Sequence, residues 1–524
     1  MNVSPKSIYI QSQISVIPVI QKHINKNMFV FLNLIFIISS ASTARILGYL
    51  PTPSYSHQVA YHPLWRELSL RGHSVTTLTT HPINDPRLTN LTEIDVSPSY
   101  QLNITLIHMN LVPLSPVSNF RTYFELMMGD VLGAQLEYGP VKDLINDKSL
   151  KFDLVIVEYF FSAPLALTKR FDCPSIGVLS LDAWNGWYKM IGSPTHSILY
   201  PEYITSLVDR LSLLERVESF ITSLIGEYYL IDFVKDIEDK LIQKHFGTNY
   251  PSSRELASNI SLLFVNTDPI FHTLRPLVPT VIQIGAGSHI TSSKPLPQEL
   301  AMILDKASNG FIYFSLGSNV KSEFFPSATL ETLLSTFTQL PYTVLWKINP
   351  DTFSNVPDNV ILSEWFPQQA ILKHPNIKLF ITQGGLQSID EASYAHVPII
   401  GMPILYDQLY NVNKMVRRGC GLSLDYRDIE EGHLKRTILE VINNPKYRNT
   451  MKRLADLARD QPISGIEKAV WWTEYVIRHK GARHLRSPLL DMPWYQYFLL
   501  DVIGSITLVV FAVAYLLVKL VSKS

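Results

Sequence analysis

The chain has 524 residues, 46% of them hydrophobic and 17% charged, with 45 basic against 45 acidic side chains. A formal net charge of 0 excludes a protein that holds nucleic acid or another polyanion by bulk charge, and it excludes an acidic disordered chain. Two cysteines, Cys173 and Cys420, exclude a disulfide-built scaffold and a multi-cysteine zinc module.

Residues 1–44 read as a secretory signal. Lys22 and Lys26 precede the apolar run Met28 to Ile38, and small residues ending in Ala44 follow it. Met28 is an alternative start, because the flank ahead of it is long for a signal. At the other end, Phe498 to Val518 holds a single charge, Asp501, and is long enough to cross a hydrocarbon core of about 30 Å. Trp494, Tyr495 and Tyr497 form an aromatic belt at its near edge, and the tail 519–524 carries Lys519 and Lys523. The positive-inside rule then places the tail in the cytosol and the body on the luminal side, a single-pass type I arrangement. Sequons at Asn90, Asn103 and Asn259 agree with that side, and residence in the endoplasmic reticulum membrane is the expectation.

The luminal body alternates short apolar strands with helical stretches, the mark of parallel α/β layers. Residues 45–280 are expected as one domain and 281–497 as a second with closing helices. In the first, Arg45 to Leu50 reads as a strand, His57 to Leu70 as a helix stopped by Gly72, and Ser74 to Thr79 as the next strand. Leu154 to Val157 and Ser175 to Leu179 are further buried strands. Apolar positions 207, 211, 214, 217, 221 and 224 recur at helical spacing, which favours a core helix over one that touches a bilayer or covers a pocket. In the second domain, Phe311 to Leu316, Thr343 to Trp346, Val360 to Ser363, Ile377 to Ile381 and Pro398 to Met402 are the expected strands.

Four motifs fall at the carboxyl ends of these strands, the edge where an open α/β sheet binds ligands. Ser315-Leu316-Gly317-Ser318 is a small turn that lets backbone approach a phosphate. Trp365 opens the stretch through Gln368 and Gln369, so its ring can stack on a base while Gln368 reads a polar edge. Gln383-Gly384-Gly385 joins a strand to a helix start, a ready site for a diphosphate, and Gln387 and Glu391 share one face of that helix. A carboxylate there suits the vicinal hydroxyls of a ribose. Asp407 and Gln408 offer an acceptor and a donor for sugar hydroxyls.

The order SLGS, WFPQQ, FITQGGLQSIDEA, GMPILYDQ and PWYQYFLLDV resembles the UDP-glycosyltransferase family, the membrane-bound glucuronosyl- and glucosyltransferases, and their invertebrate members above all. The resemblance implies a GT-B fold, two Rossmann-like domains facing a cleft, followed by the transmembrane helix. It matches Trp365 to the uracil-stacking tryptophan, Gln368 to its polar neighbour and Glu391 to the ribose-binding glutamate. Asp407 and Gln408 match the pair that holds the sugar, and Ser315 and Ser318 the serine turn near the phosphates. Gln383 departs from the family's usual histidine: it can donate to a phosphate oxygen but carries no charge. Lys347 stands near an arginine of some relatives and is left unassigned.

Sugar transfer to a hydroxyl needs a base, which typically contributes about 10²–10⁴-fold. His57 is the candidate, expected at a helix start capped by Ser56, where the local dipole favours a neutral imidazole. The resemblance places the catalytic histidine there too, and it matches Glu158, one methylene longer than the family's aspartate, to the carboxylate partner. Asp153 lies at the wrong end of that strand, and His73 reads as a turn residue.

The expected function is therefore inverting transfer of glucose, or of glucuronate as the alternative donor, from a UDP-sugar to hydroxyls of small lipophilic acceptors. With no D-x-D pair, the reaction is expected to need neither a metal nor a cofactor, UDP-sugar being a co-substrate. A homo-oligomer is compatible with the chain. The competing reading, motivated by Gln383 and Glu158, is a non-catalytic carrier of UDP-sugar or lipophile on the same scaffold.

Overall fold

The computed structural model describes residues 43–101, 122, 124–208, 210–285, 287–290, 295–318, 325–404 and 407–522. The signal reading, apart from residues 43 and 44, and the sequon at Asn103 lie outside them.

Two parallel sheets organise the chain. The first has seven strands: β1 Arg45–Tyr49, β2 Ser74–Thr79, β3 Leu91–Asp95, β4 Leu154–Glu158, β5 Ser175–Leu179, β6 Leu262–Val265 and β7 Val281–Gln283, in the order β3-β2-β1-β4-β5-β6-β7. The second holds β8 Phe311–Ser315, β9 Thr343–Lys347, β10 Val360–Ser363, β11 Ile377–Thr382, β12 Ile399–Gly401 and β13 Gly421–Ser423, in the order β10-β9-β8-β11-β12-β13. Strands such as β4, β5 and β8 are buried along their whole length, as expected of parallel sheets covered by helices on both faces.

Each order reverses direction once. In the first sheet the reversal falls between β1 and β4, where Tyr49 pairs with Val157. In the second it falls between β8 and β11, where Ser315 pairs with Thr382. The chain leaves these four strand tips through Leu50–His57, Glu158, the Ser315–Ser318 turn and Gln383–Gly385, so the predicted motifs gather at the two topological switch points, where such sheets bind ligands.

Three sequence expectations are corrected by this architecture. The boundary expected at 280/281 cuts the first sheet, because Leu263 to Val265 pair with Val281 to Gln283; the chain crosses to the second lobe only beyond β7. The single helix expected over His57 to Leu70 is two, Tyr55–Val59 and His62–Leu70, since Pro63 sits at the start of the second and cannot donate to a continuous helix. The helix predicted from the 207–224 periodicity exists as Leu213–Leu224, but its apolar positions face outward: Leu214 is 81% exposed, while Ser219 and Ser223 are buried. Strands β3, β6, β7 and β13 were not among those expected from the sequence.

The C-terminal half of the chain returns to the first lobe. Gly465–Arg478 carries Glu474, which pairs with Arg71 and His73 beside the His62–Leu70 helix. Leu500–Val521 is the one described helix long and apolar enough to cross a membrane, and it begins two residues later than the sequence suggested because Leu499 adopts a left-handed conformation that breaks it from Trp494–Tyr497.

Candidate active site

The first lobe contributes an imidazole–carboxylate pair. Gln58, with no exposed surface, donates to the carbonyls of Leu50 (2.9 Å) and Thr52 (2.8 Å) and accepts from Thr79 Oγ1 (2.7 Å). This clamp shapes the loop that leaves β1. Thr52 N–H then donates to Glu158 Oε2 at 3.0 Å, and Glu158 Oε1 lies 2.5 Å from His57 Nδ1. A carboxylate at that nitrogen accepts its proton, which leaves the lone pair on Nε2. Glu158 is fully shielded while His57 keeps 17% of its side-chain surface. The sequence expected Ser56 to cap this helix; the cap position is Ser54 instead, so His57 sits inside the first turn of a five-residue helix. Asp153, at the far end of β4, accepts from Arg45 N–H, and His73 packs against Glu474; neither approaches the pair.

Across from it, the second lobe walls a cavity of about 560 Å³ lined by Ser315, Gly317, Ser318, Trp365, Gln368, Gln383, Gly385, Gln387 and Glu391, with Tyr55 and Ser56 from the first lobe. Glu391 is its most constrained group. Gln368 Nε2 donates to Oε2 at 2.7 Å and Gln369 Nε2 to Oε1 at 2.9 Å, and His289 Nε2 stands 3.4 Å from Oε1 outside hydrogen-bond geometry. Burial pushes the Glu391 carboxyl up, but His289 and the two amides outweigh it and hold the group below the usual range. For His289 burial works downward, and Glu391 with Asp390 outweighs it, holding the imidazole above the ordinary 6.5. Each Glu391 oxygen still has a second lone pair, enough for two vicinal hydroxyls.

Trp365 is 53% exposed. Lys347, the last residue of β9, places its ammonium 4.2 Å over the indole and donates to Gly317 O at 2.8 Å. The Tyr55 ring meets the same indole edge-on at 5.3 Å, joining the lobes. Gln383 is nearly buried, with its Oε1 unpaired among the described residues, and its amide lies where a Cβ on Gly317 would stand.

Of the predicted residues, His57, Glu158, Gly384, Asp407 and Gln408 do not line this cavity, and several are held differently from what the sequence suggested. Gly384 does not line the cavity: its N–H is already bound to Thr382 Oγ1, and at φ 91° a Cβ there would meet Val412 at 2.4 Å, so its smallness lets the Gln408–Arg417 helix approach. Gln387 donates to Ser180 O of the first lobe at 2.8 Å, a bridge between lobes. Gln408 Oε1 accepts from Ile404 N–H. Asp407 accepts from Asn411 at 2.6 Å; burial pushes its carboxyl up, and His57, close enough across the cleft to act on it, draws it back.

Lys347, Gln369, His289 and Tyr55 went unassigned in the sequence. Lys347 carried a usable signal, a cation at a strand tip, whereas His289 lies outside every motif the sequence offered. Beside the His57–Glu158 pair, Phe124, Phe160, Trp184, Trp187, Met190 and Val234, together with Glu202, Lys235, Glu238 and Arg254, line a second cavity of about 40 Å³. Phe160 joins the two, its ring 5.7 Å from His57 and 4.7 Å from Trp187.

Comparison with known proteins bears on the family and the fold. The family described as UDP-glucoronosyl and UDP-glucosyl transferase matches residues 49–524. UDP-glucosyltransferase 2 of Dactylopius coccus is 35% identical over 501 residues, covering 93% of this chain and 94% of that protein. An ecdysteroid UDP-glucosyltransferase of Spodoptera littoralis nuclear polyhedrosis virus is 33% identical over 507 residues, 93% of this chain and 98% of the relative. Among solved structures, an Arabidopsis thaliana protein complexed with UDP-L-rhamnose superposes with a TM-score of 0.56 at 15% identity, covering 83% of this chain and 99% of that one, a likeness of fold. With two Rossmann-like sheets, the assembled cleft and these relatives, the chain belongs to the UDP-glucuronosyl and UDP-glucosyl transferase family, enzymes that move a sugar from a UDP-sugar to an acceptor.

Proposed function

We propose that the protein is a membrane-anchored, inverting transferase that conjugates hydroxyl groups of small lipophilic acceptors with glucose, using His57 as base and no metal. The observation that carries this reading is the His57–Glu158 pair, 2.5 Å apart, set beside the cavity that holds Trp365 and Glu391. Uracil would stack on Trp365, and the ribose hydroxyls would fill the spare lone pairs of Glu391. The diphosphate would lie against the Ser315–Ser318 turn and the uncapped start of the Leu386–Tyr394 helix, with Lys347 supplying positive charge where Gln383 supplies none. Asp407 and Gln408 would hold the sugar.

In the transfer step the acceptor hydroxyl gives its proton to His57 Nε2 and its oxygen bonds to the anomeric carbon. The bond from that carbon to the UDP oxygen breaks on the opposite face, UDP leaves with the electron pair, and the configuration inverts. Glu158 stabilises the imidazolium that forms. The Phe160 ring beside His57, which meets Trp187 edge-on, supports an acceptor with an apolar body. The glucosyltransferase names of the similar proteins favour glucose over glucuronate. Leu500–Val521, with Lys519 in its last turn and Lys523 beyond it, supports a luminal body in the endoplasmic reticulum membrane.

The test is purified full-length protein with UDP-glucose or UDP-glucuronate and a panel of phenols and steroids, scored by conjugate and released UDP. Transfer from UDP-glucose with inverted configuration supports the reading. UDP binding without release of UDP for any donor–acceptor pair would instead support the carrier.

A further inference from the structure

The Leu213–Leu224 helix is inside out. Its start is firmly specified, since Ser212 and Glu215 cap each other's backbone. Yet the face turned into the protein is Ser219 and Ser223, while Leu213, Leu214, Val217, Phe220 and Ile221 are exposed. Ser219 Oγ donates to Ser197 O at 2.5 Å, so the small polar face is the one that anchors the helix to the body. A helix stripe of this kind normally faces a core, and a contiguous apolar patch left outside marks an interaction surface.

Its neighbourhood says which surface. The stretch that Ser219 grips runs back to Gly192, whose carbonyl accepts from Ser487 Oγ at 2.7 Å. A Cβ on Gly192 would meet Ser487 at 2.5 Å, so the two backbones are closely apposed there. Gly192 and Ser197 are five residues apart in sequence, and five residues span at most about 18 Å. A second tie, Lys189 to Glu227 at 2.7 Å, binds the same region to the turn just after the helix. From Ser487 the chain passes through exposed Trp494 and Tyr495 into the Leu500–Val521 helix. Aromatic residues of that kind mark the level of a membrane interface. The apolar face thus lies beside the root of the anchor.

We infer that the Leu213–Leu224 helix lies in the surface of the bilayer that the C-terminal helix crosses, with Leu214, Val217, Phe220 and Ile221 in the acyl boundary. The inference rests on reading Leu500–Val521 as a membrane span. It differs from a usual interfacial helix in one respect: its Ser219 and Ser223 side packs on protein and not on water, so its exposed charges, Arg216 and Glu218, are confined to the margins of the apolar stripe.

The experiment uses the full chain, with Cys173 replaced by serine, in nanodiscs of phosphatidylcholine and phosphatidylserine. A fluorophore is attached to Leu214→Cys, Phe220→Cys, Leu508→Cys or Lys452→Cys, one per sample, and quenched by lipids brominated along the acyl chain. Labels at 214 and 220 should lose at least half their fluorescence, as the label at 508 does, while the label at 452 stays bright. Quenching at 508 but no more at 214 and 220 than at 452 overturns the inference and leaves the span standing. No quenching at 508 overturns the span reading and this inference with it. Shielding of 214 and 220 that needs no lipid, or that grows with protein concentration, would assign the face to residues 102–121 or to a second copy and equally overturn it. Leu214→Glu together with Phe220→Glu should raise amide exchange over 213–224 in nanodiscs while leaving UDP binding within twofold. None of these readouts depends on sugar transfer.

Discussion

Removing the His57 imidazole takes away the proposed base held against Glu158. His57→Ala should lower kcat by about 10²–10⁴-fold and leave UDP binding, followed by thermal shift, within twofold. Glu158→Gln keeps the shape but presents an amide to Nδ1, so the imidazole loses both its preferred tautomer and its counter-charge. A loss of the same order in kcat is expected, and near-normal turnover in either variant would remove the pair from the mechanism. The His289–Glu391 contact gives the donor side its own pH signature. His289 is held above the ordinary 6.5, so its attraction for Glu391 is complete below that pH and fades as pH rises through the raised value. UDP affinity should therefore weaken as pH rises above about 6.5 through the raised value, and His289→Gln should flatten that dependence; calorimetry across the range checks both. The pairing of His57 with Glu158 was available beforehand from the resemblance. The residues at strand tips were visible by spacing, but the contact between His289 and Glu391 joins positions 102 apart in the chain.

At the level of elements, short runs of sequence decide a great deal. Gly384 occupies a left-handed conformation at φ 91° between β11 and the Leu386–Tyr394 helix, pressed by Val412 and the Gln408 carbonyl. Gly384→Ala should cost about 1–3 kcal/mol, read as a lower Tm. It should also raise the donor KM, because relief of the clash displaces the helix that carries Asp407 and Gln408. The break between Tyr55–Val59 and His62–Leu70 was equally available, since Pro63 cannot continue a helix. Which side of the Leu213–Leu224 stripe faces the protein was not. Periodicity identifies a face, but only the neighbour that packs against it decides whether the apolar or the polar side is buried, and here Ser197 bonds to the serine side.

Across the whole molecule, the cleft depends on how the lobes are held. Gln387 reaches Ser180 O at 2.8 Å, Thr273 Oγ1 pairs with the Tyr410 hydroxyl at 2.6 Å, and Asn413 donates to Ser206 O at 3.2 Å. These contacts tie the donor helices to the loops that follow β5 and β6, and they set how far His57 stands from the bound sugar. Gln387→Ala removes one such bond, a loss of about 0.5–1.5 kcal/mol. It should lower kcat/KM by about 2–10-fold for donor and acceptor together, with Tm shifted little. A change confined to donor KM would return Gln387 to the donor-binding role its sequence position suggested.

The alternation of strand and helix, the glycines at the strand tips, the apolar C-terminal helix and the motifs from Ser315 to Gln408 were written in local order, because each depends only on backbone geometry and side-chain spacing over a few residues. Tertiary structure alone decided that β1 lies beside β4, which carries Glu158 to a histidine 101 positions away. It also decided that Gln387 spans the lobes, that Lys347 covers Trp365, and that a helix with core-like periodicity turns its leucines outward. Those outcomes follow from strand order and from which surfaces meet, and no local pattern carries that information.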